Sequence, residues 1–352
     1  MNTPKEKLRV AIAGTSFGGL VQVPVFQSHP RTQVVAVSSG RAEHGEKFAR
    51  ENGVPSNYTN FEEMLDREKP DVVSIAAPPA FHFPMTMAAL SRGIHVLCEK
   101  PFAMDVEEAR KMKAAADHTP VVAMVDFEFR LLPGRAYVTD LVNQGYLGEV
   151  RMADFVAHFG YRPEPGDRPF DWWSEESKGG GLLGAFGSHT VDTLQLHMGP
   201  PRRIFCELTT FVPERQGQRV TSDDSYSLLI DFQSGARASV QMTTAAGVDD
   251  FRFGIFGNLG QLVLRTLDGR ELHGGKRADG PAKLMEIPEK YMFPREDPPL
   301  RAPFRQLANR FIDAIDRGIP SPSPNFEDGV NSQIMLDAAR QSARIGAWVE
   351  FR

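Results

Sequence analysis

Cysteine is almost absent from this chain of 352 residues, which contains only Cys98 and Cys206. The two lie far apart in sequence and neither belongs to a Cys-x-x-Cys pair, so neither a disulfide framework nor a structural zinc site is predicted. No apolar run approaches the length of a membrane span, and residues 1–7 contain no apolar signal segment. These absences predict a reducing, cytoplasmic location and no membrane partner.

An excess of basic charge is also lacking, since 40 Lys and Arg residues stand against 45 Asp and Glu residues, for a formal net charge of -5. Without a run of basic residues, the chain is not expected to bind nucleic acid. With 41% hydrophobic residues it can bury a large core, and its length favours two domains. A small molecule is therefore the expected partner.

The pattern of predicted strands and helices changes near residue 125. Before it, apolar strand-like runs alternate with helical patterns, which is typical of a parallel sheet wrapped by helices. Five strands are predicted, at 9–13, 33–38, 71–76, 94–98 and 121–125. After residue 126, longer strands joined by short turns predict an antiparallel sheet. We therefore expect one domain over 1–125 and a second over 126–352.

A glycine-rich turn follows the first predicted strand and has the spacing Gly14-x-Ser16-x-x-Gly19, with Phe17 and Gly18 inside it. Glycines in such a turn let the backbone approach a pyrophosphate and direct a helix N-terminus at that anion. Because serine replaces the usual middle glycine, an ordinary turn is the alternative. The place of the turn between a strand and a helix favours dinucleotide binding through Gly14, Ser16, Phe17 and Gly18.

The residue expected to contact the adenine-side ribose ends the second strand, and here it is Ser39, followed closely by Arg41. A carboxylate at this position would bind the ribose hydroxyls of NAD and repel a 2′-phosphate, whereas a hydroxyl and a guanidinium can bind that phosphate. The sequence therefore favours NADP, with NAD as the alternative. A solvated Arg41 at a helix start is the ordinary interpretation.

Lys100 ends another apolar strand, in the run Cys98-Glu99-Lys100-Pro101. Ligand sites of parallel α/β sheets form at the carboxyl ends of the strands, so a lysine there is placed to move a proton or polarise a carbonyl group. A simple ion pair with Glu99 is the alternative. The position points to an oxidoreductase.

Four segments make the whole chain similar to the Gfo/Idh/MocA oxidoreductases. They are the glycine turn, Ala77-Pro78-Pro79-Ala80-Phe81-His82, Glu99-Lys100-Pro101, and the glycine-rich stretch from Gly179 to Asp192. The resemblance implies an N-terminal Rossmann domain, which is a doubly wound parallel sheet, and a C-terminal domain with an open, mostly antiparallel sheet. It also implies NAD(P)-dependent chemistry on sugars or cyclic polyols, and a homo-oligomer, dimer or tetramer, formed through the second sheet.

The resemblance assigns roles to residues as well. Lys100 corresponds to the catalytic lysine of the family, and His189 to the histidine that shares proton transfer or orients the substrate hydroxyl. Cofactor contacts are implied for Ala77, Pro78, His82, Glu99, Lys100 and Pro101. His82 is equally well explained as an ordinary histidine at a helix start.

Two departures from the family pattern concern the catalytic set. The carboxylate that many members carry four residues before the histidine is Ala185 here, and the usual asparagine after the fifth strand is Glu128. We hypothesise that Glu128 is catalytic and takes over part of the lost function. A salt bridge between Glu128 and Arg130 is the alternative.

Aromatic residues Tyr161, Trp172 and Trp173 precede the glycine-rich stretch, where the family builds part of its substrate site. Their faces suit the apolar faces of a sugar ring, although core packing would explain them as well. The predicted substrate-binding set is Lys100, Glu128, Arg130, Tyr161, Trp172, Trp173 and His189. No metal is expected, because His189 and Asp192 lack a third ligand.

The predicted activity is reversible oxidation of a secondary alcohol on a sugar-like ring. Two alternatives remain open. A tightly bound cofactor used twice would support epimerisation, elimination or glycoside cleavage without net redox change, and loss of catalysis would leave a cofactor-binding regulator.

Overall fold

The computed structural model describes residues 7–351, so the predicted signal-free segment at 1–6 lies outside the described residues, as does residue 352. Close packing divides the chain into two compact units. The first contains residues 7–128 together with 294–333, and the second contains residues 129–293 together with 334–351. The predicted division at 125 and 126 differs from this pattern, because the chain returns to the first unit before it ends.

The first unit is built on a six-stranded sheet in which every neighbouring pair is parallel. Its strands are β1 (Leu8–Ala13), β2 (Thr32–Ser38), β3 (Ser56–Tyr58), β4 (Val72–Ile75), β5 (His95–Cys98) and β6 (Ala123–Val125). Their order is β3-β2-β1-β4-β5-β6, which is the doubly wound topology predicted. The five predicted strands are present. The additional strand, β3, has the polar sequence Ser-Asn-Tyr and therefore carries no apolar signal.

Helices follow the strands of this sheet, at α1 (Val23–Ser28), α2 (Ala42–Glu51), α3 (Phe61–Glu68), α4 (His82–Leu90) and α5 (Val106–Asp117). The α1 segment begins as a π-helical turn over Gly18–Gln22. Two of these helices begin with a side-chain cap: the Asn60 side chain accepts the backbone N–H of Glu63, and the Asp105 side chain accepts that of Glu108.

The second unit is built on a nine-stranded sheet that is antiparallel except where β7 meets β12. The strands of this unit are β7 (Val150–His158), β8 (Pro201–Thr209), β9 (Glu214–Arg215), β10 (Gln218–Arg219), β11 (Ser225–Phe232), β12 (Arg237–Thr243), β13 (Asp250–Gly257), β14 (Gly260–Leu264), β15 (Leu272–Lys276), β16 (Lys283–Met285) and β17 (Val349–Glu350). The sheet order is β16-β15-β14-β13-β7-β12-β11-β8-β17, and β9 pairs with β10 separately. The prediction of a mostly antiparallel sheet is confirmed.

One face of the nine-stranded sheet packs against α6 (Pro133–Asn143) and α7 (Ser188–Met198). Val138 of α6 and Val191 of α7 are buried in the same apolar core as Phe155 and Tyr226 from the sheet. Because side chains alternate along a strand, the residues between these core positions face away from the helices. The core therefore fixes the position of α7, which carries His189.

The last two helices are α8 (Arg301–Arg317) and α9 (Phe326–Ile345). Aromatic contacts explain why residues 294–333 belong to the first unit. Phe304 meets Phe26 edge to face at 5.7 Å, and Phe326 lies 4.6 Å from Phe102, measured between ring centroids. Each aromatic side chain buried in this way contributes strongly to the core.

Candidate active site

The glycine turn after β1 lies against the segment that follows β4. Gly14 has a φ of +104°, and a Cβ on it would lie 2.2 Å from the Ala76 carbonyl oxygen, so only glycine fits. A Cβ on Gly18 would already lie 3.0 Å from the Ala76 Cβ. Ser16, at the middle position, is exposed. The turn thus joins β1 to a helix at the point where the strand order reverses, which fits a dinucleotide pyrophosphate.

Ser39 and Arg41 occupy the loop between β2 and α2. The backbone N–H of Arg41 donates to the Ser39 hydroxyl oxygen at 3.4 Å, and Arg41 itself is the exposed residue that precedes the first turn of α2. Both side chains therefore belong to the carboxyl edge of β2, where an adenine-side ribose is bound in this fold. Neither of these two residues is a carboxylate.

His82 joins the two loops that follow β4 and β5. Its ring is completely buried, and its nitrogens lie 2.9 Å from the carbonyl oxygen of Pro101 and 2.8 Å from that of Ala77. The histidine therefore holds together the backbone of Ala77-Pro78 and of Lys100-Pro101. Because the ring itself is enclosed, we propose that His82 affects cofactor binding by holding these two loops in place.

Behind Lys100 lies a buried group of acids that we call the carboxyl cluster: Glu99, Asp126 and Glu128. Glu99 is 6% exposed, and the other two are fully buried. The side-chain amide of Gln22 donates to Glu99 Oε1 at 3.0 Å and to Asp126 Oδ2 at 3.3 Å, while its oxygen accepts the Ser74 hydroxyl at 2.8 Å. The π-helical turn that contains Gln22 thus reaches the ends of β4, β5 and β6.

Gln22 and Asp126 were not among the predicted site residues. A signal was present for each of them. Gln22 is the only polar residue in the apolar run from Leu20 to Phe26, and Asp126 directly follows a buried strand of a parallel sheet. A polar side chain in either setting needs a buried hydrogen-bond partner, and Gln22 and Asp126 are hydrogen-bonded to each other.

Burial raises the pKa of Glu128 to about 7; Glu99 adds to the rise, while Lys100 opposes it. Lys100 is partly buried at the end of β5. A carboxyl group that titrates near neutrality beside a lysine can both accept and return a proton under ordinary conditions. The structure therefore brings together Lys100 and Glu128, which the sequence singled out separately.

In the second unit, His189 lies on the first turn of α7 and is 2% exposed. Its ring stacks on Phe129, with centroids 3.9 Å apart and planes 6° from parallel. A second π-helical turn, Leu183–Gly187, leads into α7 and contains Ala185, which is 5% exposed. Ala185, four residues before His189, is thus buried in the turn that leads to the histidine.

Arg130 forms a two-pronged ion pair with Asp192, and its Nε donates to Asp192 Oδ2 at 2.7 Å while Nη2 donates to Oδ1. The side chains of Arg130 and Asp192 are 9% and 3% exposed. Arg130, which the sequence offered as an alternative partner of Glu128, pairs with Asp192. Because Asp192 lies one turn after His189, the pair holds the part of α7 that carries the histidine.

Aromatic rings of the second unit form a continuous cluster around Phe186. Its centroid lies 5.3 Å from that of Phe159, 6.4 Å from that of Trp173 and 6.2 Å from that of Phe129. Tyr161 joins the cluster through Phe159 at 6.2 Å, and burial raises the pKa of its hydroxyl to about 12. The predicted substrate-site residues Tyr161 and Trp173 are therefore linked to His189 through Phe129.

The two tryptophans lie in a short 3-10 turn whose start is capped by Asp171, which accepts the Trp173 N–H at 3.0 Å. The Trp172 and Trp173 rings are 5.9 Å apart, and the Arg162 guanidinium lies 4.9 Å from the Trp173 ring. A Cβ on Gly180 would lie 2.3 Å from the Trp173 carbonyl oxygen. The glycine-rich stretch is thus needed for close packing against this turn.

Between residues 7 and 351, no group of three or more His, Cys, Asp or Glu side chains is arranged to hold a metal ion. Within the same range, no helix combines the length and the apolar character that crossing a membrane requires.

The doubly wound sheet, the glycine turn at its switch point and the lysine at a strand end define an NAD-binding oxidoreductase. The family model described as oxidoreductase family, NAD-binding Rossmann fold, matches residues 8–127, and that of the GFO/IDH/MocA C-terminal domain matches residues 136–263. An uncharacterized oxidoreductase of Synechocystis sp. is 30% identical over 361 residues, which cover 99% of this chain and 97% of that protein. The chain therefore belongs to the Gfo/Idh/MocA oxidoreductase family.

Other relatives extend this comparison. Levoglucosan dehydrogenase of Pseudarthrobacter phenanthrenivorans is 26% identical over 393 residues, covering 98% of each chain. A solved structure of levoglucosan dehydrogenase in complex with NADH and L-sorbose superposes with a TM-score of 0.91 at 24% identity over 99% of each chain. The predicted family, fold class and enzyme class are confirmed.

The raised pKa of Glu128 generates a prediction about stability. Between the unfolded value of 4.5 and about 7, the folded protein binds the extra proton, so its free energy of unfolding falls as pH rises through this window. Glu128→Gln should remove that loss and increase stability by up to about 3 kcal/mol at about pH 8, with little gain at about pH 4. Denaturant unfolding at both pH values measures the difference.

Glu46→Gln, at an exposed position of α2, is the matched control and should have no pH-dependent effect. An equal effect of Glu128→Gln at both pH values would show that Glu128 does not titrate near neutrality.

Proposed function

We propose that this protein reversibly oxidises a secondary alcohol of a sugar or cyclic polyol to a ketone, with NAD(P) as cofactor. The observation that carries the proposal is Lys100 at the end of β5, close to the buried carboxyl group of Glu128, whose pKa is raised to about 7. When bound, the oxidised nicotinamide supplies the hydride acceptor. Gly14, Ser16, Phe17 and Gly18, together with the loops held by His82, are proposed to hold the cofactor.

Lys100 is proposed to take the proton of the substrate hydroxyl at its Nζ atom. Glu128 then accepts a proton from Lys100, which restores the neutral lysine, and Glu128 passes that proton on to solvent before the next turnover. In the reverse direction the protonated Glu128 resupplies Lys100. A carboxyl group near neutrality suits both directions, because neither protonation state of Glu128 is strongly favoured.

His189 is proposed to orient the substrate hydroxyl. Stacking on Phe129 fixes the plane of its ring, and the Arg130–Asp192 pair fixes the helix turn beside it. Arg130 therefore contributes to substrate binding as a positioning residue. Tyr161, Trp172 and Trp173 are proposed to offer ring faces to the sugar, as aromatic side chains do for apolar sugar faces. The structure of levoglucosan dehydrogenase in complex with NADH and L-sorbose supports this substrate class.

Activity is tested by following nicotinamide absorbance with a panel of sugars and cyclitols. At least one of them should be oxidised, and Lys100→Met should reduce turnover by about 100-fold or more. Because ionised Glu128 accepts the proton, the oxidation rate should rise as pH increases through about 7 and level off above it. Glu128→Gln should be slow and should lose this pH dependence.

Product formation without any absorbance change would instead indicate the redox-neutral cycle. No product with any member of the panel, despite cofactor binding, would contradict catalysis. Arg110→Met, which removes a positive charge on α5, serves as the control for Lys100→Met.

We infer that NADP binds more tightly than NAD, through the Ser39 hydroxyl and the exposed guanidinium of Arg41. Arg41→Ala should weaken NADP binding by about 10-fold or more and leave NAD binding unchanged, since only NADP carries the 2′-phosphate. Calorimetric titration of both cofactors measures this. Arg50→Ala, at an exposed position near the end of α2, is the matched control, and tighter binding of NAD by the unaltered protein would overturn the preference.

We propose that the protein forms a dimer or tetramer through the face of the second sheet opposite its helices. Met152 on β7 and Leu229 on β11 are 56% and 48% exposed on that sheet. Leu229→Glu should lower the molar mass found by light scattering to that of a smaller species, because a charge would be buried in the contact. Leu259→Glu, in an exposed hairpin turn, should change nothing; a monomeric unaltered protein would refute the proposal.

We also propose a reducing, cytoplasmic location. Cys98 and Cys206 are both buried free thiols, and burial raises the pKa of each, which keeps the unreactive thiol form.

A further inference from the structure

We propose that Asp126 is a neutral carboxylic acid that donates its hydrogen to Glu128 and so holds Glu128 ready to accept a proton from Lys100. Asp126 is thereby a positioning residue that acts through Glu128. The inference rests on the proposed function of Glu128, but the protonation of Asp126 can be tested without any turnover.

The orientation of the Gln22 side-chain amide decides which of its groups faces Asp126. Its side-chain oxygen accepts the Ser74 hydroxyl at 2.8 Å, which identifies the other end of the amide as the NH₂ group. That NH₂ group donates to Glu99 Oε1 at 3.0 Å and to Asp126 Oδ2 at 3.3 Å. Oδ2 of Asp126 is therefore a hydrogen-bond acceptor, which leaves the hydrogen-bonding role of Oδ1 to be determined.

Asp126 Oδ1 is buried, and among residues 7–351 no N–H or hydroxyl group donates to it. The nearby backbone amides are engaged elsewhere: Asp126 N–H donates to the Cys98 carbonyl oxygen at 2.7 Å, and Phe127 N–H to that of Val125 at 2.9 Å. Yet the Asp126 carboxyl group lies within hydrogen-bonding reach of the carboxyl groups of Glu99 and Glu128. Two carboxyl groups can share a hydrogen bond only if one of them carries the hydrogen.

The surrounding charges place that hydrogen on Asp126. Glu99 and Glu128 face Asp126 as like charges, and together with burial they raise the pKa of Asp126 well above its ordinary value. Cys98 also faces Asp126, but burial keeps its thiol neutral. Lys100 faces Glu128 and favours the ionised form there. Of the two acids, Glu128 is thus the one that ionises first.

Glu128, in preference to Glu99, is the acceptor of this hydrogen. Both oxygens of Glu99 already accept hydrogen bonds, from Gln22 and from the Lys100 backbone N–H at 3.2 Å, and His82 faces the same carboxyl group. A hydrogen bond from Asp126 favours the ionised form of Glu128. Lys100 and the backbone N–H of Glu128 favour the ionised form as well; without the hydrogen bond from Asp126, burial would raise the pKa of Glu128 further, so that less of it could accept a proton near neutrality.

The proton balance of the step is simple. An N–H bond of the Lys100 ammonium group breaks, an O–H bond forms on Glu128, and the lysine becomes a neutral amine. Asp126 retains its own hydrogen throughout. The residue therefore supplies a fixed dipole, while Glu128 is the group that gains and loses the proton.

Infrared spectroscopy of the cofactor-free protein tests the protonation directly. At about pH 9, above the range in which Glu128 titrates, the unaltered protein should keep the carbonyl-stretching band of a buried carboxylic acid. Asp126→Asn should lose this band, whereas Glu128→Gln should keep it. Absence of the band from the unaltered protein, or its survival in Asp126→Asn, would overturn the proposal.

The midpoint of the Glu128 titration, read from the band that appears below about pH 7 and is missing in Glu128→Gln, tests the donated hydrogen bond. Asp126→Leu removes the donor and should raise the midpoint by about one to two pH units. Asp126→Asn retains a donor and should shift the midpoint by less than about half a unit. Met124→Leu, a change of similar volume two residues away, should shift nothing.

The sign of the shift separates the two possible states of Asp126. If Asp126 were ionised, both Asp126→Asn and Asp126→Leu would remove a negative charge and lower the midpoint; that result would overturn the proposal, as would an unchanged midpoint in Asp126→Leu. In kinetic measurements the pH dependence of oxidation should move upward in Asp126→Leu together with the midpoint. If Glu128→Gln leaves that pH dependence intact, the proposed function of Glu128 fails, while the infrared results still decide the state of Asp126.

Discussion

The cost of burying several carboxyl groups together is the constraint on which the first unit depends. Like charges in a medium of low polarity cannot all be ionised, so the carboxyl cluster must be hydrogen-bonded, partly neutral and close to a cation. Gln22 meets the first requirement and Lys100 the third. To bring Gln22 there, the helix after the glycine turn begins as a π-helical turn, a feature that is frequent at functional sites.

The chain returns to the first unit after building the second. The start of α9 packs closely on the segment after Lys100-Pro101, where a Cβ on Gly329 would lie 2.7 Å from the Phe102 ring. Phe326 covers the other part of that ring. Residues 294–333 thus hold the loop that follows Lys100-Pro101. Together with His82, they leave little freedom to the backbone around Lys100.

In the second unit, the imidazole ring of His189 is held in place without a carboxylate at position 185. Stacking of His189 on Phe129 fixes the ring plane, and the Arg130–Asp192 pair ties down the next turn of α7. A π-helical turn again precedes this histidine.

What the sequence by itself determined is local. Buried strands with continuous apolar runs, the glycine turn and the position of Lys100 at a strand end were all predicted, because each depends on residues close in sequence. The short polar strand β3 was missed, since its pairing with β2 provides the only evidence for it. Tertiary structure alone decided that Gln22 meets Asp126, 104 residues away, and that Arg130 pairs with Asp192. No periodicity encodes such pairs. Gln22 meets Asp126 because parallel strands end at one edge of the sheet, and in both units buried polar groups must find partners in segments that are distant in sequence.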